Sequence, residues 1–79
     1  MSEQKPHRPW CKIVEHPKFG QILAYVDYDE GKREMQFIRR WHSQMGFIIA
    51  TSAFPDSDAG FEAAYACLAD FTLETALQP

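Results

Sequence analysis

Three strand-like segments, Phe19 to Asp27, Arg33 to Trp41 and Met45 to Phe54, are followed by a single helix-like segment from about Asp58 to Ala76. The strands carry apolar residues on both of their faces, whereas one helix covers only one face of a sheet. Something else must cover the other face, or that face is what the chain offers to a partner. This surplus of apolar sheet surface constrains the chain more than any catalytic or ligand motif in it.

The turn signals set an expected register. Asp29, Glu30, Gly31 and Lys32 form the first turn, with Gly31 able to take the positive φ of a tight hairpin. A loop at Glu30 and Gly31 sets Val26 opposite Met35, Ala24 opposite Phe37 and Ile22 opposite Arg39. A second turn at His42, Ser43 and Gln44 pairs Trp41 with Met45, Arg39 with Phe47 and Phe37 with Ile49. Face one then holds Ile22, Ala24, Val26, Met35, Phe37, Trp41, Met45, Phe47 and Ile49, a core set for the helix. Face two holds Leu23, Tyr25, Gln36, Ile38, Arg40, Ile48 and Ala50, with Leu23, Ile38 and Ile48 aligned as a cross-strand stripe.

Pro55, Asp56, Ser57 and Asp58 end the third strand and supply candidate caps for the free amides of the helix's first turn. Within the helix Phe61, Ala64, Tyr65, Leu68, Phe71 and Thr72 recur at helical spacing as one apolar face. Upstream, residues 1–9 read as a flexible leader, polar and interrupted by Pro6 and Pro9. Residues 10–79 read as one domain. Trp10 to Val14 is apolar again, and reads either as a fourth strand or as an arm whose Trp10 and Ile13 fold over face two.

A chain of 79 residues buries only about 60% of its unfolded surface, so the core is thin. A net charge of -3 argues against broad nonspecific attraction to nucleic acid or anionic lipid. Cys11 and Cys67 are too few for a disulfide framework and read as free thiols in a reducing compartment. With neither a signal peptide nor an apolar run near 18 residues, the expectation is a cytoplasmic protein with no membrane partner.

His7, His16 and His42 have no recognised metal-ligand spacing with either cysteine, and Asp27, Asp29 and Glu30 lack the pattern of a calcium loop. Ser43 beside His42 reads as a turn, and no glycine-rich phosphate loop occurs. No catalytic, cofactor or metal residues are assigned. Arg39, Arg40, Trp41 and His42, with Lys32 and Arg33 on the same strand, are the types that clamp phosphates and stack on bases, but alternation sends Arg39 and Arg40 to opposite faces. Leu23, Ile38 and Ile48 with Tyr25 and Arg40 at their margin have the composition of a protein interface: aliphatic centre, aromatic and arginine rim.

In size, mild acidity and simple architecture, the segment Phe19 to Phe71 resembles the small accessory proteins of bacteriophages and prophages, including some anti-CRISPR inhibitors. The resemblance covers most of the folded chain and rests on size and architecture, with no motif behind it. It implies a protein that occupies a surface of a larger host machine, sterically or by presenting carboxylates where nucleic acid would lie. Asp27, Asp29, Glu30, Asp56, Asp58, Glu62, Asp70 and Glu74 are the carboxylates available for that, interrupted by Lys32, Arg33, Arg39 and Arg40. The strands followed by an alanine-rich helix also resemble the latter part of a double-stranded RNA-binding domain. Those domains carry a basic cluster where this chain reads Pro55, Asp56, Ser57, Asp58, which repels phosphate.

The expected fold is α+β: an antiparallel meander of three to four strands with one C-terminal helix packed on one face. The expected function is a non-enzymatic protein-binding module, a phage-type inhibitor or regulator that acts by surface occlusion and forms a homodimer through face two. Its interface residues are Leu23, Tyr25, Ile38, Arg40 and Ile48. The alternative is a nucleic-acid-binding module using Arg33, Arg40, Tyr25 and His42.

Overall fold

The computed structural model describes residues 10–75; the leader expected over residues 1–9 lies outside them. Four strands, β1 (Cys11–His16), β2 (Gly20–Asp29), β3 (Glu34–Ser43) and β4 (Gly46–Pro55), precede one helix, α1 (Asp58–Ala69). They form an antiparallel meander in the order β1-β2-β3-β4, and the helix packs on one face in an α+β arrangement. The Trp10 to Val14 segment is therefore a strand in the plane of the sheet, not an arm across face two. Cys11 lies opposite Tyr25 and Ile13 opposite Leu23, while the Val26 amide donates to the Trp10 carbonyl at 3.1 Å. The free edge of β2 supplies backbone partners that an arm lying on side chains would lack.

Each hairpin is closed by a side chain that accepts amide hydrogens of its turn. His16 Nδ1 accepts from the amides of Lys18 and Phe19 at 3.0 and 3.3 Å, and Gly20 leaves that turn at a φ of 75°. Asp29 Oδ1 accepts from the Lys32 amide at 3.0 Å, and here the left-handed residue is Arg33, at a φ of 54°, rather than Gly31. A side chain in that region costs about 1–2 kcal/mol. We expect Arg33→Gly to raise stability by about 0.5–1 kcal/mol, after the extra unfolded-state freedom of glycine is subtracted. Chemical denaturation checks it, and a lower midpoint with an unchanged slope contradicts it.

The longer turn from Glu30 to Arg33 pairs Val26 with Phe37 and Ala24 with Arg39, two residues from the expected register. An even shift leaves every side chain on its expected face. The β3–β4 turn behaves differently. Ser43 pairs with Gly46 across Gln44 and Met45, and its hydroxyl donates to the Gly46 carbonyl and accepts from the Met45 amide, both at 3.1 Å. Trp41 thus faces Ile48 and Arg40 faces Ile49, a shift of three from the expected register. An odd shift inverts the strand. Ile48, Ala50, Ser52 and Phe54 share the helix-side face, whereas Phe47 and Ile49 lie on the other; Met45, expected in the core, is 93% exposed.

Ser57 caps α1, its hydroxyl accepting from the Gly60 amide at 3.1 Å. The buried positions of the helix are Gly60, Ala64 and Leu68, four residues apart along one stripe, and the first two are small enough to bring the helix axis close to the sheet. Together with Ile22, Ala24, Val26, Phe37 and Phe71 they make the core, in which Phe37 and Phe71 meet edge to face at 6.1 Å. Phe61, expected on the buried stripe, is instead 39% exposed and lies against Tyr65.

The helix stops at Ala69, well short of the expected Ala76, because Thr72 and Thr75 take the next turn with their own hydroxyls. Thr75 Oγ1 donates to the Asp70 carbonyl at 3.0 Å and accepts from the Thr72 amide at 2.9 Å, an alternative to helical bonding that β-branched hydroxyl residues favour. Lys12 Nζ donates to the Ala69 carbonyl at 2.9 Å, placing a cation at the helix C-terminus. The helix starts beside the Pro55 end of β4 and packs over β3, β4 and β2, and the Lys12 side chain reaches its C-terminus from β1.

Candidate functional site

The face of the sheet opposite α1 has no layer over it among the described residues. Its side chains lie in rows given by the register. One row crosses all four strands as Ile13, Leu23, Arg40 and Ile49. The next is Cys11, Tyr25, Ile38 and Thr51. Ile13 is 58% exposed and Ile49 57%, while Ile38, in the middle of the sheet, keeps only 7%. The neighbouring side chains of this face thus bury its centre, and its flanks remain open.

Phe47, opposite His42, stands in the next row beside Ile49. The Arg40 guanidinium lies over the Phe47 ring at 4.9 Å, and the His42 ring stands 4.8 Å from it. Such a cation on a ring face contributes about 0.5–1 kcal/mol at an exposed site. These residues, with Ile13, Gln21, Leu23 and Trp41, line a shallow concavity of about 330 Å³. Arg40 Nε is buried there by the side chains around it, with no hydrogen-bond partner among the described residues, while the residue as a whole stays half-buried. A carboxylate is the acceptor that best matches it, because guanidinium and carboxylate pair through two parallel bonds.

The opposite end of the same face is acidic. Asp27 is followed by Gln36 and Ala53 in one row, and Asp29 by Glu34 and Pro55 in the next. Gln36 Nε2 donates to Glu34 at 2.8 Å and to Asp29 at 3.4 Å, which fixes these carboxylates in a solvated group at the β2–β3 end. The face is therefore graded along the strands, apolar with Arg40, His42 and the single carboxylate of Glu15 at one end and anionic at the other.

Of the expected interface residues, Leu23, Tyr25, Ile38 and Arg40 come together on this face. Ile48 does not: it stands opposite Trp41 on the helix side, half-buried, because the β3–β4 turn inverts the strand. Its place is taken by Ile49 and Phe47, and β1 adds Ile13. The alternation Cys11, Ile13, Glu15 against Lys12, Val14 marked Ile13 once β1 was a strand. Nothing in Phe47, Ile48 and Ile49, apolar at both parities, distinguished the two faces. The alternative set is divided, since Tyr25, Arg40 and His42 share the open face while Arg33 sits in the β2–β3 turn, past the carboxylates of Asp29 and Glu34.

Among the described residues, the two groups with perturbed protonation lie away from this face. Burial, reinforced by the nearby Asp70 carboxylate and opposed by Arg39, pushes the Cys67 thiol up. The Tyr28 hydroxyl donates to Asp56 at 2.9 Å, which together with the carboxylates around it raises the phenol. Cys11 and Cys67 are free thiols, one on the open face and one in the helix across the sheet. Among the described residues no group of three or more His, Cys, Asp or Glu side chains converges as a metal site, and no helix is long and apolar enough to cross a membrane. No protein-family model, curated protein or solved structure matches the chain.

Proposed function

We propose that this chain is a non-enzymatic protein-binding module of the cytoplasm that acts by occluding a surface of a larger complex, as phage-type inhibitors and regulators do. The docking surface is the open sheet face. The observation that carries this reading is the row Ile13, Leu23, Arg40 and Ile49 with Phe47 beside it: a run of partly exposed apolar side chains around one half-buried arginine, with no layer over them among the described residues. Interface centres combine these residue types, and arginine and aromatic side chains dominate their energetics. The matching partner is a protein presenting an apolar ridge that carries a carboxylate for Arg40.

Leu23→Asp and Ile49→Asp, made separately, test it. Each places a charge in the row without touching the helix-side core. We expect both to keep the wild-type circular dichroism spectrum and to weaken the partner, captured from host extract and then purified, by about 30-fold or more, the loss of one hot spot of about 2 kcal/mol. Ala66→Asp, on the exposed side of α1, is the control and leaves binding unchanged. Equal affinity in all three variants refutes the open face as the site. A wild-type dimer that both row variants dissociate names a second copy, stacked face to face, as the occupant. A labelled single-stranded oligonucleotide that binds at low salt and is lost with Arg40→Ala would favour nucleic acid, through Arg40, His42 and Phe47.

A further inference from the structure

The meander leaves two strand edges, β1 and β4, and they differ in kind. β1 has six residues, carries Lys12 and Glu15, and runs into Pro17 directly after His16. Short length, charge and a flanking proline are the devices by which natural sheets keep an edge from pairing with another chain. β4 has none of them along its length. It has ten residues, it holds ten consecutive pairs with β3 with no bulge, and no charged side chain occurs from Gln44 to Pro55. Its only proline, Pro55, is its last residue.

The helix packs against β3, β4 and β2 on one face of the sheet, and among the described residues no strand lies beside the outer backbone edge of β4. A regular strand bonds its neighbour with only every second residue's backbone groups, and the others point outward. Along β4 those outward groups form an uninterrupted template.

We propose that two copies of this chain pair through their β4 edges, antiparallel about a twofold axis perpendicular to the sheet, and so join their two four-stranded sheets into one continuous sheet. The strand is self-complementary. An axis through Thr51 sets Ile49 beside Ala53 and Phe47 beside Pro55; an axis through Ala50 sets Ile49 beside Thr51 and Phe47 beside Ala53. In neither register do like charges meet, and in both the open faces of the copies stay on one side. Both helices then lie on the reverse, and the apolar rows of the two open faces adjoin at the new seam. This pairing does not depend on the open face having a foreign partner.

Sedimentation equilibrium and backbone amide exchange on the full-length chain test it together. Twice the 9.1 kDa chain mass is expected, with slow exchange at every β4 amide from Phe47 to Phe54. The double variant Thr51→Lys, Ala53→Lys, at two exposed positions, is expected to raise the dimer dissociation constant at least about tenfold, by setting like charges across the axis. Leu23→Asp, on β2, leaves the mass unchanged, which separates this pairing from docking on the open face. A single-chain mass at millimolar concentration overturns the proposal. So does a dimer in which alternate β4 amides still exchange freely, because it would associate by another surface. Should the double variant not fold, the wild-type exchange pattern decides alone.

Discussion

Gly60→Ala is expected to destabilise this protein by about 3 kcal/mol or more, although alanine is the better helix former by about 1 kcal/mol. A Cβ at Gly60 would overlap the Pro55 carbonyl oxygen and come within 2.8 Å of its carbonyl carbon and 3.0 Å of its nitrogen. These are backbone atoms of the last residue of β4, and no rotamer change moves them aside. The helix would have to lift from the sheet at its first turn, breaking the Ser57 cap and parting Ala64 and Leu68 from the strands below. A domain of 79 residues has a total stability of roughly 4–12 kcal/mol, so this one methyl group removes a large share of it. Thermal unfolding followed by circular dichroism gives the measure, with a fall in Tm of about 12 °C or more. An alanine variant that melts at or above the wild type would show that the helix does not rest on Pro55.

Leu68→Ala should cost about 2–4 kcal/mol, and Ile49→Ala, which deletes the same amount of hydrocarbon, less than about 1 kcal/mol. Leu68 is 2% exposed and belongs to the cluster with Ile22, Ala24 and Phe37, so its removal leaves a cavity that a thin two-layer core cannot close. Ile49 is 57% exposed on the open face and already faces water on one side. The difference between the two variants reads out which face of the sheet contributes to folding and which is left over. Paired denaturation curves with equal slopes check it. Similar losses in both would mean that the open face is packed against something in the isolated protein.

Much of the architecture was legible because it rests on local rules. Alternation in Ile22, Ala24 and Val26 against Leu23 and Tyr25 marked β2 and its faces, and the caps around Ser57 marked the start of α1. The length of the helix was less legible, since alanine and leucine continue the pattern past Ala69 while the Thr72–Thr75 hydroxyl bonds that end it depend on a folded turn. The candidate site was half legible. Leu23, Tyr25, Ile38 and Arg40 share a face whether the β2–β3 register is the expected one or the observed one, because the two differ by an even number. Ile48 and Ile49 exchange roles because the next turn differs by an odd number, and both are equally apolar.

The sequence by itself determined that this chain has more apolar sheet surface than one helix covers, and that the surplus includes Leu23, Ile38 and the arginine beside them. Only the tertiary structure decided that β1 lies in the sheet and not across it, that β4 turns Phe47 and Ile49 outward, and that Gly60 lets the helix rest on Pro55. The physical reason is that hydrophobic burial is non-directional. Apolar periodicity fixes how much surface must be hidden, while turn geometry and backbone pairing between distant residues choose which surface remains in view.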